Sequence, residues 1–361
     1  MKQSVTALLL IACLHSFAAA EPVLDPVATA ASYDRHAAVA DTSDAPSPWL
    51  DLNPVPALKL DPVGSRDYRL ATALGVAGIY AGFATWTYFA WYQRDFHKFE
   101  VGGDGDWKIW SDEGWFSKQT YAGGADKLGH WWATMSLGRL GTEVLRLGGH
   151  GKWTSAIIGN GLSELTFFAV EVGDGFMYTF SKGDFTFNTI GALFGFASSV
   201  FPTFDRLLDF RVDYHPSKPY RDRFEEKHDV NIAEDYSGQT YLLALHLGEL
   251  PGLRDWKYGG WSRFVDVSLG FKTRGYKPDP LYKIDPDDPM KQDFKHSQTM
   301  FVGLSLNAQG VFDYLFRSGK HEGWRKVLHG ATEVFSFPYT TLPVVDHVAH
   351  PVGEVPDEQT E

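Results

Sequence analysis

Between Arg69 and Phe201 the chain carries four segments of helical length that are too poor in charge for each to turn a face to water. Arg69 to Tyr92 has no charge after its first residue and closes on Trp86, Tyr88, Phe89, Trp91 and Tyr92, with Arg94 just beyond. That is long enough to cross a bilayer with an aromatic belt at one face. Gly75, Gly78 and Gly82 would allow close packing either there or in a soluble bundle. His130 to Leu147 is amphipathic, with Arg139, Glu143 and Arg146. Trp153 to Val172 is mostly apolar but holds Glu164 and Glu171, and Phe185 to Phe201 has no charge at all. The pattern predicts a helical bundle in a membrane or lying against one.

The first residues read as an export signal. Lys2 precedes a short apolar run, Val5 to Ala12, and Ala18-Ala19-Ala20 fits the small-residue rule for cleavage before Glu21. In a second reading Leu10-Ile11-Ala12-Cys13 is a lipobox, and Cys13 is acylated. Cys13 is the only cysteine, so no disulfide framework or thiolate metal site is expected. A net charge of −12 argues against nucleic acid as a partner. The 12 Trp, many beside apolar runs, suit a lipid interface. The expected organisation is a signal peptide at 1–20, a Pro- and Asp-rich disordered tether at 21–66, a helical membrane-associated domain at 67–211 and a charged linker at 212–235. A small β-rich domain at 236–346 and a loose acidic tail at 347–361 follow.

Strand signals begin after the linker. In Phe264 to Lys272 and again in Phe301 to Gln309, apolar and polar residues alternate, the period of a half-buried antiparallel strand. Gln239 to Leu247 alternates more weakly, and Lys277 to Lys295 is a Pro/Asp-rich loop. Three or four strands are too few for a membrane barrel on their own. The fold class is therefore α+β: a bundle of four or five helices followed by a small antiparallel sheet.

Ionisable groups inside apolar helices are costly unless paired, hydrated or functional. Asp126 and Lys127 open the second segment, with His130 one turn on. Glu164 and Glu171 share a face of the third, and Asp174 follows. Asp184 starts the fourth, with Asn188 and Gly191 on the same side. Asp126 and Asp184 are expected as helix N-caps, and Glu164 as a partner of Arg139 or Arg146. Short connections would bring Asp126, His130, Glu171, Asp174, Asp184 and Asn188 to one end of the bundle. Such a set could hold a divalent cation, with Asp126, His130, Glu171 and Asp184 as ligands. It could run acid/base chemistry, with His130 oriented by Asp126. Or it could only tie the helices together. Glu171 is the hardest to explain as structure, lying within Phe167-Phe168-Ala169-Val170-Glu171-Val172.

The runs DKLGHWWATMSLGRLGTEVLR, ELTFFAVEVGDGF and SKGDFTFNTIGALFG resemble the YfiM-like family of predicted periplasmic lipoproteins, a domain of unknown function. The likeness covers about residues 107–211 and continues into YSGQTYLLAL. More loosely, the order Asp-Lys-x-x-His, Glu, Asp-x-x-x-Asn-x-x-Gly is similar to VanZ-like membrane proteins. Here Gly173-Asp174-Gly175 follows the Glu where those usually carry Gln. The resemblance implies a Gram-negative envelope location and no settled activity. The residues themselves leave three roles open. The first is structural or ligand-binding at a membrane, with lipid as partner. The second is a lipid- or glycan-directed hydrolase or transferase. The third is an accessory to an outer-membrane assembly, offering a sheet edge to an envelope protein. The outer membrane is favoured over the inner.

Overall fold

The computed structural model describes residues 68–349, apart from 93–94, 104–113, 119, 228–230, 255, 257–258, 278–295 and 317–321. The signal peptide, Cys13, the tether, most of the Lys277–Lys295 loop and residues 350–361 lie outside the described residues.

The four apolar segments are helices: α1 (Arg69–Trp91), α2 (Ala125–Leu147), α3 (Lys152–Met177) and α4 (Lys182–Val200). α2, α3 and α4 pack on one another, and α1 lies against α2 and α3. Phe83 of α1 meets Phe167 of α3 at 5.3 Å between ring centroids, and Tyr80 donates to the Gly159 carbonyl at 2.8 Å. The helices approach closely where a side chain is missing. A Cβ on Gly191 would stand 2.4 Å from the Trp131 carbonyl oxygen, and one on Gly159 would stand 2.4 Å from Thr142 Oγ1. Nothing larger than glycine fits those crossings.

Pro202 begins a short helix, α5 (Pro202–Leu207), which runs directly into β1 (Leu208–Tyr214). After α6 (Lys218–Lys227) come β2 (Gln239–His246), α7 (Pro251–Arg254), β3 (Val265–Arg274) and β4 (Ser297–Leu306). Two helices, α8 (Ala308–Leu315) and α9 (Glu322–Val334), lead to β5 (Phe335–Ser336) and β6 (Thr341–Ala349). The fold is α+β, and the sheet order is β5-β1-β2-β3-β4-β6. All pairings are antiparallel except β1 with β5.

Several stretches differ from the sequence expectation: Lys218–Lys227, inside the expected linker, is a helix, and the strand expected to run to Gln309 ends at Leu306, with Ala308 and Gln309 opening α8. Leu208–Tyr214, expected to span the end of the helical region and the start of a linker, is a strand. Its alternation is concealed because the polar partners of Phe210 and Val212 are the charged residues Asp209 and Arg211, which here are themselves buried. Residues 347–349, expected as the start of a loose tail, complete β6.

The sheet is strongly curled. Its outermost strands, β5 and β6, are joined by four residues only, 337–340, which reach about 17 Å. In a flat sheet of this order they would lie about 24 Å apart. Tyr339 of that turn, at φ 64°, lies beside His215, which follows β1, with ring centroids 5.1 Å apart and the rings tilted.

One face of the sheet carries Phe210, Val212, Tyr241 and Phe271 against Ala125, Leu128, Met135 and Phe187 of the bundle. Trp131 stacks on Phe210 at 4.1 Å, and Trp132 Nε1 donates to the Val334 carbonyl at 2.7 Å. Bundle and sheet thus share a core. Further along the same face, the register sets Leu243, Leu269, Val302 and Val345 side by side, and the last three are exposed. The opposite, inner face buries polar groups: Asp209, Arg211, His246, Asp266, Ser268 and Ser305.

Candidate functional site

One end of the bundle is built from the start of α2, the end of α3 and the start of α4. The chain enters α2 through Gly123 and Gly124, at φ 57° and 82°, a left-handed turn only glycine adopts freely. That entry places Gly124, not Asp126, at the N-cap, and no side chain caps the helix there. Asp126 lies within the first turn. It accepts from Tyr121 Oη at 2.8 Å and Lys127 Nζ at 3.0 Å. Asp184 is not a cap either: Ser181 caps α4 by accepting from the Asp184 N–H at 3.1 Å. The Asp184 carboxylate is thereby free to meet Lys127 Nζ at 2.8 Å. Both acids still sit at helix N-termini, where the backbone dipoles favour negative charge.

Glu171 and Asn188 are wholly buried, and Asp126, Lys127 and Asp184 nearly so. Asn188 is the hub. Its Nδ2 donates to Glu171 Oε1 at 3.4 Å, and its Oδ1 accepts from Thr134 at 3.1 Å and faces His130 Nδ1 at 2.9 Å. With Nδ1 donating to Asn188, His130 turns its Nε2 toward Asp184 Oδ1, 3.8 Å away. The orienting group of His130 is therefore Asn188 and not Asp126, whose carboxylate is turned to Tyr121 and Lys127. Glu171 Oε1 also lies 3.4 Å from His130 Nδ1, while Glu171 Oε2 is buried without a hydrogen-bond partner. His130 is the member that reaches the surface, its side chain 21% exposed.

The electrostatics divide the carboxylates. Burial, then the charges of Asp184 and Asp174, push the Glu171 carboxyl far above the ordinary range. Burial would raise Asp184 as well, but Lys127 and His130 outweigh it and hold it below its usual value. Burial also pushes Asp174 up to about 6, against a hydrogen bond from Tyr92 and the His130 charge. Lys127 is kept protonated by Asp126 and Asp184 despite its own burial. His130, Glu171 and Asp184 can each present one ligand atom, all within 4.8 Å of one another. A mixed imidazole and carboxylate set suits a divalent transition cation.

The sequence-predicted residues that do not join the site have other work. Gly191 is a packing position under Trp131. Glu164 accepts from Thr189 Oγ1 at 2.8 Å on the α3–α4 contact and meets neither arginine. Arg139 turns away from α3 to Asp205, at 2.9 Å, and to Glu333 of α9. Arg146 pairs with Glu143, at 3.3 Å.

A second buried network, inside the sheet, escapes sequence reasoning. Arg211 bridges Asp209 at 2.8 Å and Asp266 at 2.9 Å. His246 stands between the same two carboxylates, at 3.0 and 2.9 Å, and Asn307 donates to Asp266 at 2.9 Å. The available signal was the charge at every second position of Leu208–Tyr214.

Residues 112–199 match the family model described as predicted periplasmic lipoprotein (DUF2279), so the YfiM-like resemblance holds over that stretch, and with it an exported, periplasmic setting. The match takes in α2, α3, α4 and every polar residue of the cluster. The looser VanZ-like similarity has no counterpart in it. No curated protein and no solved structure matches the chain.

Proposed function

We propose that this is a membrane-associated binding protein of the bacterial envelope, and that the end of its helical bundle takes a divalent cation between His130, Glu171 and Asp184. The observation that carries this reading is the Glu171 carboxylate: fully buried, one oxygen without a partner, and two further donor groups within ligand-sharing distance. A dication also suits the charge balance. Among the described residues Asp126, Glu171 and Asp184 face one permanent cation, Lys127, with the His130 ring beside them, so a proton on Glu171 or an added positive charge would complete the balance.

Membrane association rests on surface chemistry. α1 carries exposed Leu70, Leu74, Tyr88 and Phe89, and α3 carries exposed Ile157, Leu165 and Phe168. α1 is long and apolar enough to cross a bilayer, and little of it is buried in the protein. Acylation at Cys13 would add a second anchor, in keeping with the lipoprotein description of the family. We assign the outer membrane because the curled sheet is apolar outside and polar inside, the pattern of chains that live in that bilayer. Six strands are fewer than the smallest such barrels have, so the sheet rests on the membrane and does not span it.

The test is a calorimetric titration of chelator-treated protein in nonionic detergent with Zn²⁺ and Mn²⁺, at pH 6 and pH 8. One equivalent is expected, bound more tightly at pH 8 because Glu171 must lose its proton, and lost in His130→Ala and Asp184→Ala. If wild type takes up neither ion at either pH, the cluster is not a cation site.

A second reading is favoured by one observation: His130, held by Asn188 and with its side chain 21% exposed, is placed as an acid/base would be. In that reading the protein is a lipid- or glycan-directed hydrolase or transferase, and Asn188 orients His130.

A further inference from the structure

The curled sheet has an open mouth, and its lining is cationic. A cavity of about 520 Å³ lies between the inner face of the sheet and the segment that follows β1. Lys272, Arg274 and Arg221 border it, together with His215 and with Lys218, which pairs with Asp222 at 2.6 Å, and Asp213 is the carboxylate among its lining residues. Phe301, Pro343 and Tyr339 supply an apolar side. The volume falls within the range of small-molecule sites.

The arrangement at the centre of this lining is unfavourable as it stands. Lys272 and Arg274 are two apart on β3 and therefore project to the same face. Among the described residues neither has a carboxylate at ion-pair distance, nor does Arg221. Lys272 Nζ instead lies over the Phe301 ring, 5.8 Å from its centroid. Arg274 spends hydrogen bonds on the carbonyls of Ser237 and Thr273. Asp346 acts on Lys272, and Asp235 and Asp213 act on Arg274, only at longer range. Partial burial, and then the facing Arg274, push the Lys272 ammonium below its usual pKa. Two like charges held together at a half-buried wall, with no carboxylate at ion-pair distance among the described residues, form a site that an anion would complete.

We propose that the mouth of the curled sheet binds a phosphoryl-bearing anion, with Lys272 and Arg274 on the phosphate oxygens and the Phe301–Pro343 wall against the organic part of the ligand. Guanidinium and ammonium together suit a phosphate: the first offers a fork of donors, the second a compact charge. The same chemistry is presented by a lipid headgroup and by a soluble phosphate. The site shares no residue with the His130 cluster, so either proposal can fail without the other.

The experiment titrates the full chain, in nonionic detergent, with inorganic phosphate and with dihexanoyl phosphatidic acid, at 50 and 300 mM NaCl. Wild type is compared with Lys272→Gln and Arg274→Gln, each checked by thermal unfolding without ligand. Binding is expected to weaken at the higher salt and to fall at least tenfold in either variant. Unliganded Lys272→Gln should unfold at the wild-type temperature or above it, because a repulsion has been removed, while Arg274→Gln also gives up its bonds to Ser237 and Thr273 and is read below its own unfolding temperature. Tighter binding of the short-chain lipid identifies a headgroup with its acyl stem, and equal binding identifies the phosphate alone. No binding of either probe to wild type, or variants that bind as well as wild type, overturns the proposal.

Discussion

A carboxylic acid buried among apolar helices has two ways to exist, and Glu171 shows which holds in the absence of a cation. Its carboxyl is raised far above the ordinary range, so burial favours the protonated form. The sign of the linkage follows. A raised folded-state value contributes stability that is complete below the unfolded value and is lost as pH rises through the folded one. Asp174, pushed up to about 6, behaves alike over a lower window, from about pH 4 to about pH 6. Glu171→Gln keeps the acceptor used by Asn188 and removes the titration. Urea denaturation at pH 5 and pH 8 should show wild type losing more stability across that interval than the variant does. Equal losses would mean that Glu171 titrates normally and is hydrated. The identity of these residues was legible in the sequence, because a charge inside an apolar helix has to be explained. Their roles were less so. Asp126 and Asp184 read as caps, and it is the Gly123–Gly124 entry and Ser181 that release both for Lys127. Which nitrogen of His130 is held, and by which partner, depends on a residue 58 positions away.

Among the elements, the helices were the most legible and the sheet the least. Apolar runs of four turns or more leave little choice of conformation, and the structure extends them by only a few residues. β1 was missed because sequence reasoning takes charges to be solvated, whereas Asp209 and Arg211 satisfy each other inside the sheet. The contacts between helices rest on absent side chains. Gly191→Leu would drive a side chain into the Trp131 carbonyl, so α2 and α4 must separate. The expected cost is about 1–3 kcal/mol, with a lowered melting temperature and weakened cation uptake, since Asn188 lies one turn away on α4. A variant as stable as wild type would show that the two helices can slide apart freely.

At the scale of the whole molecule, the bundle and the sheet unfold together if the Trp131–Phe210 core is what joins them. The inner network of the sheet supplies the pH at which this can be seen. Burial lowers the His246 imidazolium, but Asp209 and Asp266 outweigh it and hold it up to about 9. Its stabilising contribution is therefore present in full below about pH 6.5 and is lost as pH rises through about 9. Thermal melts followed by far-UV ellipticity, for the helices, and by near-UV ellipticity, for the aromatic core, should both move down between pH 7 and pH 10 and stay coincident. A near-UV transition that moves alone would make the sheet an independent unit, as the linker expected at 212–235 would have it.

The four residues between β5 and β6 bear on the order in which the molecule is assembled. Both strands that close the curl come from the last described part of the chain, yet β5 pairs with β1, more than a hundred residues earlier. An exported chain emerges from its translocon in sequence order. The bundle can therefore gather from local contacts while the sheet is still an open ribbon with both edges bare. Closure is a late, long-range step, and such steps are slow. During that interval the unpaired edge of β4 is a strand template for any other chain nearby. A nascent copy that loses the β5–β6 segment to proteolysis would keep that edge bare and should accumulate as aggregate.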